Sequence, residues 1–121
     1  MIQKYEDGRG VIESIINNKQ FSSVLRITSA KGSVRANHYH KEDYHYCYLE
    51  SGEMDYYDRQ VGSEYPPTVT KIKSGDVFYT GPMIEHAMKF TEDSVFWCFS
   101  KLSRNQDNYE SDTVRLKTPL A

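Results

Sequence analysis

Gly32-Ser33-Val34-Arg35-Ala36-Asn37-His38-Tyr39-His40-Lys41-Glu42-Asp43-Tyr44-His45-Tyr46-Cys47-Tyr48-Leu49-Glu50-Ser51-Gly52 is the most informative stretch of the chain. Its side chains alternate in character on either side of a polar turn, which is the pattern of two strands and not of a helix. With a period of two, Val34, Ala36, His38 and His40 share one face and Arg35, Asn37 and Tyr39 share the other. In the next strand His45, Cys47 and Leu49 oppose Tyr44, Tyr46 and Tyr48. The first set is expected to point inward with the two earlier histidines. The tyrosine stripe then faces a second sheet or a partner subunit, and a homodimer is expected because aromatics are enriched in interface cores.

The same rhythm extends in both directions. Strand-like segments run over about Gly10–Ile16, Phe21–Thr28, Ser33–His40, Tyr44–Glu50, Glu53–Arg59, Thr68–Ile72, Asp76–Thr80, His86–Thr91, Val95–Leu102 and Asp112–Lys117. Turn residues such as Lys31-Gly32, Ser51-Gly52 and Ser74-Gly75 separate them. About ten short strands imply an all-β sandwich or barrel, and no segment has the periodicity of a long helix. Met88, Phe90, Trp97 and Phe99 read as barrel core or lining.

At 121 residues the chain fits one domain, residues 1–121, with no room for a second core of ordinary size. Fifteen basic against seventeen acidic residues leave a formal charge of −2, so no basic excess draws the protein to nucleic acid or to anionic lipid. The longest apolar run, Val95 to Phe99, is too short to span a bilayer, and Met1–Asp7 has no apolar region like that of a signal peptide. A soluble, cytoplasmic protein without a membrane partner is expected. Cys47 and Cys98 match neither a CxxC pair nor a disulfide framework and read as buried free thiols. No phosphate loop and no GxSxG elbow occurs, so any chemistry belongs to a metal.

The chain has four histidines, His38, His40, His45 and His86, and three lie within eight residues. An HxH pair on a strand sets two imidazoles on one face, within reach of one ion at about 2.0–2.2 Å per bond. His45 adds a third ligand from the neighbouring strand and His86 a fourth from a later hairpin. Inward imidazoles without a shared ion would lack partners for their ring nitrogens. The expectation is one divalent transition metal.

Gly32, five residues, His38-Tyr39-His40, four residues, His45, six residues and Gly52 resemble the first motif of the cupin superfamily, G-x5-H-x-H-x4-E-x6-G, over residues 32–52, with His45 at the Glu position. The second cupin motif, G-x5-P-x-G-x2-H-x3-N, is matched over residues 75–90 by Gly75 and His86, while Gly81, Met83 and Phe90 stand at its Pro, second Gly and Asn positions. The resemblance implies a single cupin-type antiparallel jelly-roll β-barrel with His38, His40, His45 and His86 as metal ligands. Replacing the carboxylate by imidazole gives an all-nitrogen shell that favours Zn, Ni, Fe or Cu over Mn. Alternatively, His45 does not ligate and serves as a base or leaves an open position.

The resemblance further implies an enzyme acting on a small polar metabolite such as a sugar or sugar nucleotide, by isomerisation or epimerisation. A non-haem Fe(II) dioxygenase with a three-His site, and a non-catalytic carbohydrate-binding or sensory cupin, are the alternatives. Glu85 and Tyr79 are the candidate catalytic acid-base groups beside the metal. Arg26 and Arg35 are expected on the surface, where either could hold a phosphate or carboxylate.

Overall fold

The computed structural model describes residues 3–121. The elements are β1 (Gln3–Asp7), β2 (Gly10–Ser14), β3 (Ser23–Ser29), β4 (Val34–His40), β5 (His45–Ser51), β6 (Glu53–Gln60), β7 (Thr68–Lys73), β8 (Val77–Thr80), β9 (Ile84–Phe90), β10 (Ser94–Ser100), α1 (Gln106–Asp112) and β11 (Thr113–Arg115). A four-stranded sheet of order β3-β10-β5-β8 faces a five-stranded sheet of order β11-β4-β9-β6-β7, and β1-β2 form a separate hairpin. All pairings are antiparallel. This is the expected all-β jelly roll. No helix among the described residues is long and apolar enough to cross a membrane.

Two elements differ from the sequence reading. Gln3–Asp7 forms an additional strand, hidden because its residues are almost all polar; it pairs with β2 around Gly8-Arg9, where Asp7 accepts the Arg9 N–H at 2.9 Å. The hairpin leaves Tyr5, Val11 and Ile12 exposed. The seven-residue helix α1 precedes β11 and shortens the last expected strand to three residues.

Polarity is graded along the space between the sheets. On β5, His45, Cys47 and Leu49 point inward; on β10, Ser94, Phe96, Cys98 and Ser100 do so. Leu49, Phe96, Phe90, Met54 and Ile72 close one end as an apolar core, with the Phe90 and Phe96 rings stacked at 5.6 Å. Each such buried side chain contributes about 1.5–3 kcal/mol of transfer free energy. The other end holds the histidines. Trp97 and Phe99 lie on the outer face of β10, opposite Tyr48 and Tyr46 in register, so they are not barrel lining as expected. Met88 and Phe90 are inside.

Gly52, the closing glycine of the first motif, has φ +98°, and a Cβ there would lie 2.5 Å from the Asp93 carbonyl oxygen and 2.7 Å from Ser94 Cα. Only glycine fits so close a backbone approach. Met83, at the glycine position of the second motif, nevertheless adopts φ 60°. Its N–H donates to the His40 carbonyl at 2.8 Å and its own carbonyl accepts from Val61 at 3.1 Å, which ties the turn to the site.

The face assignment on β4 requires a correction. A bulge between Ala36 and His38, with φ 72° at Ala36 and 57° at Asn37, inserts one extra residue against β9. Asn37 tolerates the left-handed conformation and is held there by the C-terminal segment: its Oδ1 accepts from Leu120 N at 2.8 Å and its carbonyl from Leu116 N at 2.9 Å. The extra residue inverts the alternation. Val34 therefore pairs with exposed Lys89 and leaves the face it was expected to share with His38, while Arg35 pairs with inward-facing Met88 and joins that face.

Candidate active site

Strand register brings the histidines together. His38 on β4 stands opposite His86 on β9, and their rings meet edge to face at 4.7 Å. Two residues further along β4, His40 lies 4.6 Å from His38 and 5.6 Å from His86, centroid to centroid. One ring nitrogen each of His38, His40 and His86 lies within 4.8 Å of the other two, and all three residues are buried. His45 comes from the other sheet, with its ring 4.7 Å from that of His40.

Hydrogen bonding sets two of the tautomers. Ile84 O lies 2.9 Å from His86 Nδ1, and a carbonyl only accepts, so the proton is on Nδ1 and the Nε2 lone pair is free. Thr113 Oγ1 spends its proton on the Tyr109 carbonyl at 2.6 Å, so it accepts from His40 Nδ1 at 3.3 Å. Among the described residues His40 Nε2 is then a buried lone pair without a hydrogen-bond partner. Burial, reinforced by the neighbouring imidazoles, lowers His38 to about 3 and His40 to about 2 from the ordinary 6.5. Burial likewise lowers His86 to about 4. Three neutral imidazoles, two with ring N–H groups anchored on outer oxygen acceptors, form a donor set suited to a divalent transition metal.

His45 lies in a different environment. Its Nδ1 is 2.9 Å from Cys98 Sγ and 2.9 Å from Ser100 Oγ. Its Nε2 is 3.3 Å from Asp43 Oδ2, near enough for charge attraction yet without hydrogen-bond alignment. Burial disfavours the imidazolium, but the Cys98 hydrogen bond and the Cys98 and Asp43 charges outweigh it and raise the His45 pKa. Cys98 moves down, chiefly through the neighbouring Cys47 thiol, with His45 adding to the effect; Cys47 moves up. Asp43 is fixed by accepting the Leu102 N–H at 2.9 Å. Asp112 accepts from Glu42 N at 2.8 Å and Asp43 N at 3.2 Å, and lies 3.5 Å from His40 Nδ1.

A cavity of about 140 Å³ joins the four histidines to Cys47, Cys98 and Thr80, and reaches the exposed side chains of Arg35 and Arg104. Arg104 stacks on the Tyr109 ring at 4.0 Å. Arg35 donates from Nε to Ser29 Oγ at 2.7 Å and from Nη2 to the Thr28 carbonyl at 2.9 Å, so it is fixed without a carboxylate partner among the described contacts. A larger groove of about 1020 Å³ lies on the outside, against Tyr46, Tyr48 and Tyr79, and contains no histidine.

The two expected acid-base residues do not reach the cavity. Glu85 precedes inward-facing His86 on β9 and so points outward, where Arg59, its register partner on β6, binds it at 2.8 and 2.9 Å. Tyr79 precedes inward-facing Thr80 on β8 and stacks outside against Tyr46 at 4.8 Å. The sequence reading did not single out Asp43, Asp112, Ser100, Arg104 or Tyr109 and placed Arg35 on the surface. Strand alternation around Cys98 was the only local signal for Ser100, and none existed for residues delivered by the C-terminal segment.

No protein-family model matches the sequence, and no curated protein matches it. Solved structures do match. The QdtA 3,4-ketoisomerase from Thermoanaerobacterium thermosaccharolyticum, as a double mutant in complex with TDP, superposes with a TM-score of 0.76 at 22% identity, over 95% of this chain and 83% of that one. A single-site mutant of the same enzyme, solved with TDP-4-keto-6-deoxyglucose, gives a TM-score of 0.75 at 19% identity, over 95% and 83%. The dTDP-4-dehydrorhamnose 3,5-epimerase from Sulfolobus tokodaii gives 0.74 at 15% identity, over 93% and 72%. At such identities the likeness is one of fold: the chain is a jelly-roll β-barrel with the architecture of these ketoisomerases and this epimerase.

Proposed function

We propose that the protein is a sugar isomerase or epimerase acting on a keto sugar carried by a nucleotide, with His45 moving the proton and His38, His40 and His86 holding one divalent transition metal. The observation that carries this reading is the cluster of buried imidazoles of His38, His40 and His86, with His40 Nε2 unpartnered among the described residues, in a cavity whose mouth has two arginines. When bound, the metal supplies Lewis-acid polarisation of the sugar carbonyl, which acidifies the adjacent C–H. Arg35 and Arg104 are placed to bind the diphosphate, since guanidinium forks match phosphate oxygens. His45, between Asp43 and the Cys98–Ser100 pair, takes the proton and returns it to the neighbouring carbon or to the opposite face. The fold likeness to enzymes solved with TDP and with TDP-4-keto-6-deoxyglucose supports the substrate class. Neither the oxygenase nor the binding-only alternative draws support from that likeness.

The test is solvent-deuterium exchange into TDP-4-keto sugars, followed by mass spectrometry, alongside metal analysis of the purified protein. His40→Ala should lose both the metal and exchange, whereas His45→Asn should keep the metal and lose exchange. Full exchange by His45→Asn overturns the role of His45, and an unchanged metal content in His40→Ala overturns the ligand set. A homodimer belongs to the same reading, supported by the outer aromatic face of Tyr44, Tyr46, Tyr48 and half-exposed Tyr79 and by the projecting β1–β2 hairpin. Sedimentation equilibrium giving a monomer would contradict it.

A further inference from the structure

We propose that Cys47 and Cys98 are a peroxide-responsive thiol pair that closes a reversible disulfide across β5 and β10 inside the cavity. The two residues are direct cross-strand partners, and both side chains are buried on the inner face and line the same cavity. Directly opposed residues of an antiparallel pair have Cα atoms about 4.5 or about 5.5 Å apart. Both separations fall within the range of about 4.4–6.8 Å that a disulfide requires. Bond formation therefore needs side-chain rotation and not strand movement.

Access and chemistry differ for the two thiols. Both line the cavity that opens at Arg35 and Arg104, and its volume of about 140 Å³ admits a molecule as small as hydrogen peroxide. Cys98 has a proton acceptor at His45 Nδ1, 2.9 Å away, and a second polar neighbour in Ser100 Oγ at 3.6 Å. Among the described contacts His45 Nδ1 is hydrogen-bonded to the Cys98 sulfur and not to that of Cys47. Cys98 is thus the attacking sulfur and Cys47 the resolving one.

The reaction balances with peroxide as the oxidant. Cys98 gives its proton to His45 and its sulfur attacks one peroxide oxygen; the O–O bond breaks, and the leaving hydroxide takes the proton from His45 to become water. Cys98 is then a sulfenic acid. The Cys47 sulfur attacks the Cys98 sulfur, the S–O bond breaks, and the departing hydroxide leaves as water with the Cys47 proton. Two thiols have lost two electrons, one peroxide has gained them, and two waters are formed. The disulfide withdraws the Cys98 thiol from His45. It forms whether or not the cavity turns over a sugar.

The native protein is exposed to hydrogen peroxide, denatured, alkylated with iodoacetamide and analysed as intact protein and as non-reduced peptides. The expected result is a mass lower by two hydrogens, loss of both alkylatable thiols, a Cys47 peptide linked to a Cys98 peptide of the same chain, and full reversal by dithiothreitol. Cys47→Ser should stop at a sulfenic acid that dimedone traps on Cys98, and Cys98→Ser should leave Cys47 untrapped. Two intact thiols after peroxide, links only between chains, or Cys98 driven to sulfinic acid while Cys47 stays free would each overturn the proposal. Trapping on Cys47 alone would overturn the assignment of the attacking sulfur. The linked-peptide measurement uses the wild-type chain and needs neither variant to fold.

Discussion

Acidification should unfold this protein through its buried histidines. Burial depresses His38 to about 3, His40 to about 2 and His86 to about 4 in the folded chain, whereas each titrates near 6.5 when unfolded. A depressed histidine contributes stability that is fully present above its unfolded pKa and is lost as the pH falls toward the folded value. At about pH 5 the unfolded state gains about 2 kcal/mol per histidine by taking up a proton the folded state refuses, against about 0.1 at about pH 7.5. Three histidines therefore remove about 6 kcal/mol, a large part of the total stability of an ordinary domain. His45 acts in the opposite sense. Its raised pKa contributes stability below the unfolded value that is lost as the pH rises through the folded one, so it offsets part of the acid loss. Urea titrations of chelator-treated protein, followed through the single Trp97, give the free energy at each pH and keep metal release out of the measurement. His86→Asn should flatten the dependence by about a third, and His45→Asn should steepen it. A stability that changes by less than about 1 kcal/mol between about pH 7.5 and about pH 5 would refute the neutral-imidazole reading.

Gly52→Ala should cost about 2–5 kcal/mol in urea denaturation, combining the left-handed backbone penalty with a clash against Asp93 and Ser94 backbone atoms; a cost below about 1 kcal/mol would show that the β5–β6 turn yields. Met83→Gly should raise the thermal midpoint, because glycine adopts φ 60° without the Cβ penalty of about 1–2 kcal/mol and the Met83 side chain is 42% exposed. Arg35→Ala should weaken TDP binding in calorimetry by about tenfold or more while leaving metal content unchanged, since it removes a charge-assisted donor from the cavity mouth and no candidate ligand.

Local pattern was enough for much of this protein. Alternation along Tyr44–Leu49 correctly separated His45, Cys47 and Leu49 from the tyrosines, because a strand's period of two is a property of its own backbone. The motif resemblance carried by the HxH pair, the glycine spacing and His86 implied the jelly roll and the four histidines, His38, His40, His45 and His86, that line the cavity. Tertiary structure decided what depends on register and on distant segments. The bulge at Ala36 and Asn37 exchanged Arg35 for Val34 on the inner face, and its strained backbone is held by hydrogen bonds from Leu116 and Leu120. The same phase logic sent Glu85 to Arg59 and Tyr79 to Tyr46, away from the cavity, once the inward residues of β8 and β9 were known to be Thr80 and His86. The pairing of Cys47 with Cys98 arises from the β5–β10 register across about fifty residues of chain, and Asp112 reaches the site only because α1 and β11 fold back along β4. Periodicity says which residues share a face; only closure of the two sheets says which faces meet and where a buried imidazole finds its partner.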